Sequence, residues 1–186
     1  MPMDDILLDC EERMDKVVDF FQRELRGIRT GRASAGLVEF IKVDYYGSPT
    51  DLRQLASIAV PEPDLIVIKP FDPGTTKDIE KAILASELGI TPQADGKIIR
   101  LPVPSLAVDR RQQLASQIKK MAEQARVAVR NVRRDANKAA DKEKSQSVLT
   151  EDDLEKCRHE VQELTDEYSG KIDEALEAKT EEITEG

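Results

Sequence analysis

Six side chains suited to phosphate binding recur at helical spacing in one stretch of the sequence: Lys119, Arg126, Arg130, Arg133, Arg134 and Asn137. At about 100° per residue, five of them project from one stripe of a helix and Arg134 lies beside it. Guanidinium groups donate hydrogen bonds in pairs to phosphate oxygens, and a repeat of about 5.4 Å per turn can follow a phosphate backbone. We call these six residues together the arginine stripe and predict that it binds a polyanion. Such contacts would position the protein on its partner more than they would recognise a nucleotide sequence.

A second interpretation of the arginine stripe is a solvated helix face whose arginines pair with acidic residues of neighbouring helices. Within the same stretch, Glu123 and Asp135 are the nearby acids. The apolar seam of this helix lies about a right angle away from the stripe, which leaves the stripe free to meet a partner. Both interpretations stay open from the sequence.

A further pair of arginines, Arg29 and Arg32, flanks Thr30 and Gly31. One interpretation is that they extend the basic surface to a junction between domains. The other is that they cap the last carbonyls of the preceding helix, where the helix dipole favours cations. The chain contains no GxxxxGK[ST] or GxGxxG motif, so a nucleotide-binding loop is not indicated.

Catalytic and metal-binding chemistry has little support. The cysteines, Cys10 and Cys157, form no CxxC pair, and His159 is the one histidine, so neither a disulfide framework nor a zinc site is indicated. Both cysteines occupy apolar seam positions, where small buried thiols are expected, whereas His159 stands among charged residues and should be exposed. We therefore predict a protein that is not an enzyme, with no catalytic residue, metal or cofactor.

The charge is distributed unevenly along the chain. The formal net charge is −9, from 37 Asp and Glu against 28 Lys and Arg, which argues against a general nucleic-acid coat. Residues 105–134 nevertheless hold eight bases against two acids, whereas residues 151–186 hold fourteen acids against four bases. An acidic body with one basic stretch predicts an oriented polyanion-binding face.

Three long amphipathic helices are predicted from apolar residues spaced three and four apart. The first occupies residues 1–28, with the seam Leu7, Cys10, Met14, Val17, Phe21, Leu25 and Ile28. The second, uninterrupted by Gly or Pro, has the seam Leu114, Ile118, Met121, Ala125, Val129, Val132 and Ala136. The third follows a capping box at Thr150 and Asp153 and has the seam Leu154, Cys157, Val161, Leu164, Tyr168 and Ile172. Narrow seams of this kind predict a three-helix bundle with near-antiparallel neighbours.

Between the first two helices the pattern changes to short strands and turns. Runs at 38–46, 55–60, 65–70 and 98–101 predict strands, and a short helix is expected from Thr75 or Thr76 through Leu88. We therefore predict an α+β protein of two domains. A three-helix bundle comprises residues 1–30 and 105–186, and a small β/α/β domain, residues 31–104, is inserted into it.

An inserted domain is joined to its host by two crossings of the chain, here at about 29–34 and 101–105. The hinge residues predicted at these crossings are Thr30, Gly31, Arg32, Ala33, Pro102, Val103 and Pro104. Because Gly31 can bend freely while the prolines stiffen the return, a hinge of limited freedom is expected.

Several segments resemble the bacterial ribosome recycling factor family. The resemblance rests on residues 27–34 (GIRTGRAS), 45–50 (YYGSPT) with 52–56 (LRQLA), and above all 123–137 (EQARVAVRNVRRDAN). Residues 81–83, 86–89 and 151–153 are similar as well, so the resemblance covers nearly the whole chain in order.

The resemblance implies an L-shaped protein of tRNA-like overall dimensions, with the bundle as one arm and the β/α/β domain as the other. It implies a cytoplasmic, non-catalytic factor for ribosome recycling after translation termination. Such a factor binds the post-termination ribosome and, with elongation factor G and GTP, dissociates the subunits so that mRNA and deacylated tRNA are released. The partner, elongation factor G, would hydrolyse the GTP.

The family's functional residues are carried over to matching positions of this sequence. Large-subunit ribosomal RNA contacts are implied for Arg29, Arg126, Arg130, Arg133 and Arg134, to which the stripe adds Lys119 and Asn137. Arg32 and its turn would hold the hinge, and residues 31–104 would be the lever that elongation factor G moves. We expect a monomer without a membrane partner, since no apolar run is long enough to span a bilayer and the acidic start is unlike a leader peptide.

Two other classes of protein compete with this interpretation. An adaptor would use the bundle seams for a protein partner and satisfy the arginine stripe internally. A hydrolase with clustered carboxylates is disfavoured because no second catalytic partner can be named.

Overall fold

The computed structural model describes residues 2–185, and this part of the chain forms two compact units. The first comprises the chain up to Gln22 together with Ala115–Thr180, and the second comprises Arg23–Leu114 together with the chain from Glu181 onward. None of the helices described combines the length and apolar character needed to cross a membrane. The predicted α+β class, with a long helical bundle and a small sheet domain, is confirmed. The domain boundaries at about 30 and 105 stay a prediction.

The elements follow one another along residues 2–185 as one long helix, a mixed region and two further long helices. They are α1 (Met3–Arg26), β1 (Lys42–Tyr45), β2 (Ser48–Asp51), α2 (Leu52–Leu55), β3 (Ala56–Glu62), β4 (Leu65–Pro70), α3 (Thr76–Ala85), β5 (Gln93–Asp95), β6 (Ile98–Pro102), α4 (Val108–Ser145) and α5 (Glu151–Glu185). Single 3-10 turns occupy Ala35–Leu37 and Pro73–Thr75.

Helices α4 and α5 lie antiparallel in the first unit. Arg126 near the middle of α4 pairs with Asp173 late in α5, while Asp141 late in α4 pairs with Arg158 early in α5. The order of the pairs is therefore reversed between the two helices, as near-antiparallel packing requires. The predicted antiparallel arrangement of these two neighbours is confirmed.

The predicted apolar seams form the buried core of the first unit, with small shifts of phase. Where the sequence predicts Leu7, Val17, Met121 and Leu164, the buried residues are their neighbours Ile6, Val18, Ala122 and Thr165. A helix has 3.6 residues per turn, so two adjacent positions can border the same seam and the neighbouring helices select between them. Ile28, the last predicted seam residue, lies beyond the end of α1.

The capping box predicted at the start of α5 is present. Thr150 Oγ1 accepts a hydrogen bond from the Asp153 backbone N–H at 3.1 Å, and Asp153 Oδ2 accepts one from the Thr150 N–H at 3.0 Å. Two N–H groups that the helix cannot satisfy internally are thus paired. These hydrogen bonds hold the pKa of Asp153 below its ordinary value.

The second unit contains two antiparallel sheets. Strands β1 and β2 form a hairpin, and a four-stranded sheet has the order β3-β4-β6-β5. Its central strands β4 and β6 place Ile68 opposite Ile99, and both are fully buried. Helix α3 adds the buried Ile79 and Ile83 to the same core. Complete burial of side chains of this size contributes roughly 1.5–3 kcal/mol each.

The strand predicted at 38–46 is wrong in its first half. Residues 35–37 form a 3-10 turn that Ser34 caps by accepting a hydrogen bond from the Gly36 N–H, and the strand begins only at Lys42. Leu37 and Val38 are both buried, which an alternating strand with one face in water does not allow. These apolar residues fill the core from a turn instead of pairing with a strand.

Candidate nucleic-acid interface

The arginine stripe occupies the middle of α4, within the first unit. Val129, Val132 and Ala136 are buried on the apolar seam, so the basic residues at the intervening positions are left half-exposed or exposed. The helix therefore separates a packed face from a cationic face, as the periodicity predicts.

Two acidic residues hold Arg126. Its Nη2 and Nε donate to Asp173 Oδ1 on α5 at 2.6 and 3.0 Å, and its Nη1 donates to Glu123 Oε2 at 3.3 Å. Glu123 also accepts from Arg130 Nη2 at 2.8 Å, and the bonds from Arg130 and Arg126 hold the pKa of Glu123 below its ordinary value. Arg126 and Arg130 therefore pair with neighbouring acids, as the second interpretation of the stripe predicts.

Three other residues of the stripe carry a charge that no ion pair neutralises within the described residues. Arg133 Nη1 donates to the neutral Oε1 of Gln162 at 3.4 Å, a long contact that cancels no charge. For Arg134 and Lys119, both exposed, the part of the chain that the structure describes supplies no hydrogen bond or ion pair. Three cations on one helix face are therefore available to an anionic partner.

Asn137, the sixth stripe residue, is oriented differently. Its Oδ1 is buried and accepts no hydrogen bond within residues 2–185. Phosphate oxygens are acceptors, so Asn137 would contact a phosphate through its Nδ2 donor and not through this oxygen.

Arg29 lies in the second unit and joins the two predicted chain crossings. Its Nη2 donates a hydrogen bond to the carbonyl oxygen of Pro104 at 2.7 Å. Burial lowers the pKa of the Arg29 guanidinium, and the positive charge of Arg110 lowers it further. No carboxylate among the described residues pairs with Arg29. Its observed hydrogen bond goes to the second crossing, so the alternative of capping the first helix is not what is seen.

Both crossings are also anchored to the turn between β3 and β4. The Pro63 carbonyl accepts from the Ala33 N–H and the next carbonyl, of Asp64, accepts from the Val103 N–H, each at 2.7 Å. Gly31 has φ +84°, a backbone conformation that only glycine adopts without strain. A composition pattern cannot reveal such partners because they are backbone carbonyls, although the Pro-rich turn itself is visible in the sequence.

The remaining predicted hinge residues divide between buried and exposed positions. Thr30 and Val103 are buried at 4% and 2% exposure, whereas Arg32, Pro102 and Pro104 are exposed. Both crossings lie within the second unit.

The residues with reactive side chains lie in unreactive surroundings. Cys10 and Cys157 are buried free thiols, as predicted, and burial raises the pKa of Cys10 to about 11. A thiol that stays protonated at neutral pH is a poor nucleophile. His159 is exposed, as predicted, and its Nε2 lies 3.1 Å from Glu163 Oε1. Within the described chain, no group of three or more His, Cys, Asp or Glu side chains could hold a metal ion.

The sequence is similar to those of known translation factors. The model of the ribosome recycling factor family matches residues 21–184. A ribosome-recycling factor from Nitratidesulfovibrio vulgaris is 52% identical over 183 residues, which cover 98% of each chain. The counterpart from Geobacillus kaustophilus is 51% identical over 180 residues, which cover 97% of each chain.

Solved structures give the same result. The solution structure of a ribosome recycling factor is 40% identical, with a TM-score of 0.80 over 99% of this chain and 98% of that one. Another similar structure is the T. thermophilus ribosome recycling factor, in models with E. coli elongation factor G bound to the E. coli post-termination complex. It is 35% identical, with a TM-score of 0.70 over 98% of this chain and 99% of that one.

Proposed function

Because this chain belongs to the ribosome recycling factor family, we propose that it binds the ribosome after translation termination and dissociates the subunits together with elongation factor G and GTP. Messenger RNA and deacylated tRNA are released by this step. The observation that carries the proposal is the match of nearly the whole chain to the family, supported by the relative that occurs with elongation factor G on a post-termination complex. The chain has no phosphate-binding loop motif, so the GTP is hydrolysed by the partner.

We propose that large-subunit ribosomal RNA is contacted through the arginine stripe. Arg133, Arg134 and Lys119 carry most of this binding, since none of them pairs with a carboxylate of the described residues. Arg126 and Arg130 carry less, because each must exchange a carboxylate partner for a phosphate. Arg29 adds a further cation, which no acidic side chain of residues 2–184 neutralises.

We propose that residues 31–104 act as the lever on which elongation factor G works, and that the chain bends at the two crossings. Gly31 supports this role because its positive φ is a backbone conformation that residues with a side chain rarely adopt. Arg29 limits the motion by tying the two crossings together through Pro104.

Sedimentation with ribosomes at low and high salt tests the proposal against the adaptor alternative. A factor held by phosphate contacts should cosediment at low salt and be released as salt rises, because each contact displaces counterions from the RNA. An adaptor whose arginines are satisfied internally should neither cosediment nor respond to salt, and that result would overturn the proposal.

A further inference from the structure

Three arginines from two helices of the second unit converge on one aromatic ring. The guanidinium carbons lie over the ring of Phe40, at distances from its centroid of 4.5 Å for Arg23, 5.6 Å for Arg26 and 4.9 Å for Arg53. Arg23 and Arg26 end α1, whereas Arg53 belongs to α2. We call these four residues the Phe40 cluster.

The backbone around Phe40 holds this cluster together. A Cβ atom on Gly36 would lie 2.9 Å from the Arg26 Cβ, a distance that real side chains do not show, so glycine lets this turn pack directly on the end of α1. On the other side, the Arg53 N–H donates to the Glu39 carbonyl at 3.2 Å. The fold thus fixes where the three arginine side chains begin.

Little of the positive charge of the cluster is neutralised. Among residues 2–185, Arg23 and Arg26 form no ion pair, and Arg53 Nε lies 3.8 Å from Asp51 Oδ2, whose carboxylate already pairs with Lys42 at 2.6 Å. A cation–π contact attracts a guanidinium without cancelling its charge. Three exposed cations are therefore held against their mutual repulsion.

A purely structural role explains only part of this arrangement. Arg23 and Arg26 interact favourably with the carbonyl end of the α1 dipole, but this does not account for Arg53, which approaches the same ring from another helix. Within residues 2–185 these three guanidinium groups donate no hydrogen bond, so their N–H donors stay available for an anion. Arginine donates such pairs of hydrogen bonds preferentially to phosphate.

We propose that the Phe40 cluster binds the phosphate backbone of ribosomal RNA, as a site in the second unit in addition to the arginine stripe on α4. The inference rests on the proposed function for its choice of RNA. The cluster supplies affinity and orientation, since it presents donors suited to phosphates and no side chain suited to reading base edges.

The test is ribosome binding by the full chain at a series of KCl concentrations. In the triple variant Arg23→Gln, Arg26→Gln, Arg53→Gln, the plot of log affinity against log salt should become shallower. Its negative slope should lose about two units in magnitude, since each phosphate contact contributes about 0.7–0.9. The matched control Lys69→Gln, Lys77→Gln, Lys97→Gln removes the same charge from exposed positions of the same unit and should keep most of the slope.

A second variant, Phe40→Leu, keeps all three charges and removes the ring. It should lose about threefold in affinity at fixed salt, because the arginines are no longer held in place. Equal slopes for the cluster variant and its lysine control would overturn the inference. So would unchanged ribosome binding with weaker binding to isolated elongation factor G, which would assign the cluster to an acidic protein surface.

The result for the unsubstituted chain separates this inference from the proposed function. If the unsubstituted chain did not bind ribosomes at any salt concentration, the proposed function would fail and the inference with it. If the unsubstituted chain binds and only the arginine stripe variants change the slope, the proposed function stands and the inference alone is wrong. Each variant should unfold at the same midpoint temperature as the parent chain, and this control establishes that the variants are folded.

Discussion

The Arg29 guanidinium donates a 2.7 Å hydrogen bond to the carbonyl oxygen of Pro104, a residue 75 positions away in the chain. Arg29 precedes Gly31 on the first predicted crossing, and Pro104 lies at the end of the second. One side chain therefore fastens together the two segments that connect the inserted residues to the long helices. The same guanidinium has no carboxylate partner among the described residues, so it can hold the crossing and still present charge.

Replacing Arg29 tests this fastening. The variant Arg29→Met keeps the apolar stem and removes every donor, so the free energy of unfolding should fall by about 1 kcal/mol as the Pro104 carbonyl loses its partner. Urea unfolding measures the change. Arg100→Met is the matched control, because Arg100 is exposed and its ion pair with Asp95 is 3.6 Å long. Equal stability of the two variants would contradict the structural role of Arg29.

Releasing Arg126 from the nearer of its two acidic partners should strengthen RNA binding. In Asp173→Asn, the charged partner at 2.6 Å is lost and Arg126 keeps only the longer pair with Glu123 at 3.3 Å, so the salt dependence of large-subunit binding should become steeper by up to about one unit. The control Glu174→Gln removes the same charge one residue further along, at a position without an ion pair to α4 in residues 2–185. If the salt dependence of binding by Glu174→Gln became equally steep, the change would be a general effect of charge and not the release of Arg126.

The hinge prediction is tested at Gly31. Because its φ is +84° and a Cβ would meet the Leu106 backbone nitrogen at 3.4 Å, Gly31→Val should introduce roughly 2 kcal/mol of strain. We expect subunit splitting to be impaired more than ribosome binding. Gly47→Val is the control, since Gly47 has φ +82° and lies outside both crossings. A Cβ on Gly47 would meet no described atom within 4 Å apart from its chain neighbours. Equal loss of splitting and binding in Gly31→Val would indicate misfolding instead.

The capping box of α5 should make stability depend on pH. The folded-state pKa of Asp153 lies below its ordinary value of 3.8, so its stabilisation is present above that value and is lost as pH falls through the lowered pKa. Asp153→Asn should therefore destabilise the chain at pH 7 and have little effect in strong acid. Urea unfolding at both pH values measures this. Asp152→Asn, which removes a neighbouring first-turn carboxylate, should show a smaller difference between the two.

The periodicity of the sequence predicts the long helices well, because each seam is repeated over many turns. It fails where two adjacent apolar residues compete, as at Val17 and Val18, since the choice depends on the neighbouring helix. Strands β2 and β5 were missed for another reason. Ser48–Asp51 and Gln93–Asp95 are short and polar, and mostly exposed, so they carry no apolar alternation from which a strand can be predicted.

The candidate site was predicted in its residue types but not in its contacts. The spacing of the arginines on α4 is a local property, so their common face follows from helix geometry alone. Their partners are distant in sequence: Asp173 is 47 residues from Arg126, and Gln162 is 29 residues from Arg133. Which arginines keep an unneutralised charge depends on the packing of α4 against α5, and this only the folded chain reveals.

The central claim is tested most directly by the dissociation of ribosomes into subunits in the presence of elongation factor G and GTP. Light scattering monitors this reaction. The unsubstituted chain should dissociate post-termination ribosomes. The variant Arg133→Glu reverses the charge of a stripe arginine whose observed partner is the neutral Gln162, and it should slow the reaction about tenfold or more. A chain that leaves the ribosomes intact in the presence of both elongation factor G and GTP would contradict the proposed function. Equal rates for the parent and Arg133→Glu would contradict anchoring through the arginine stripe.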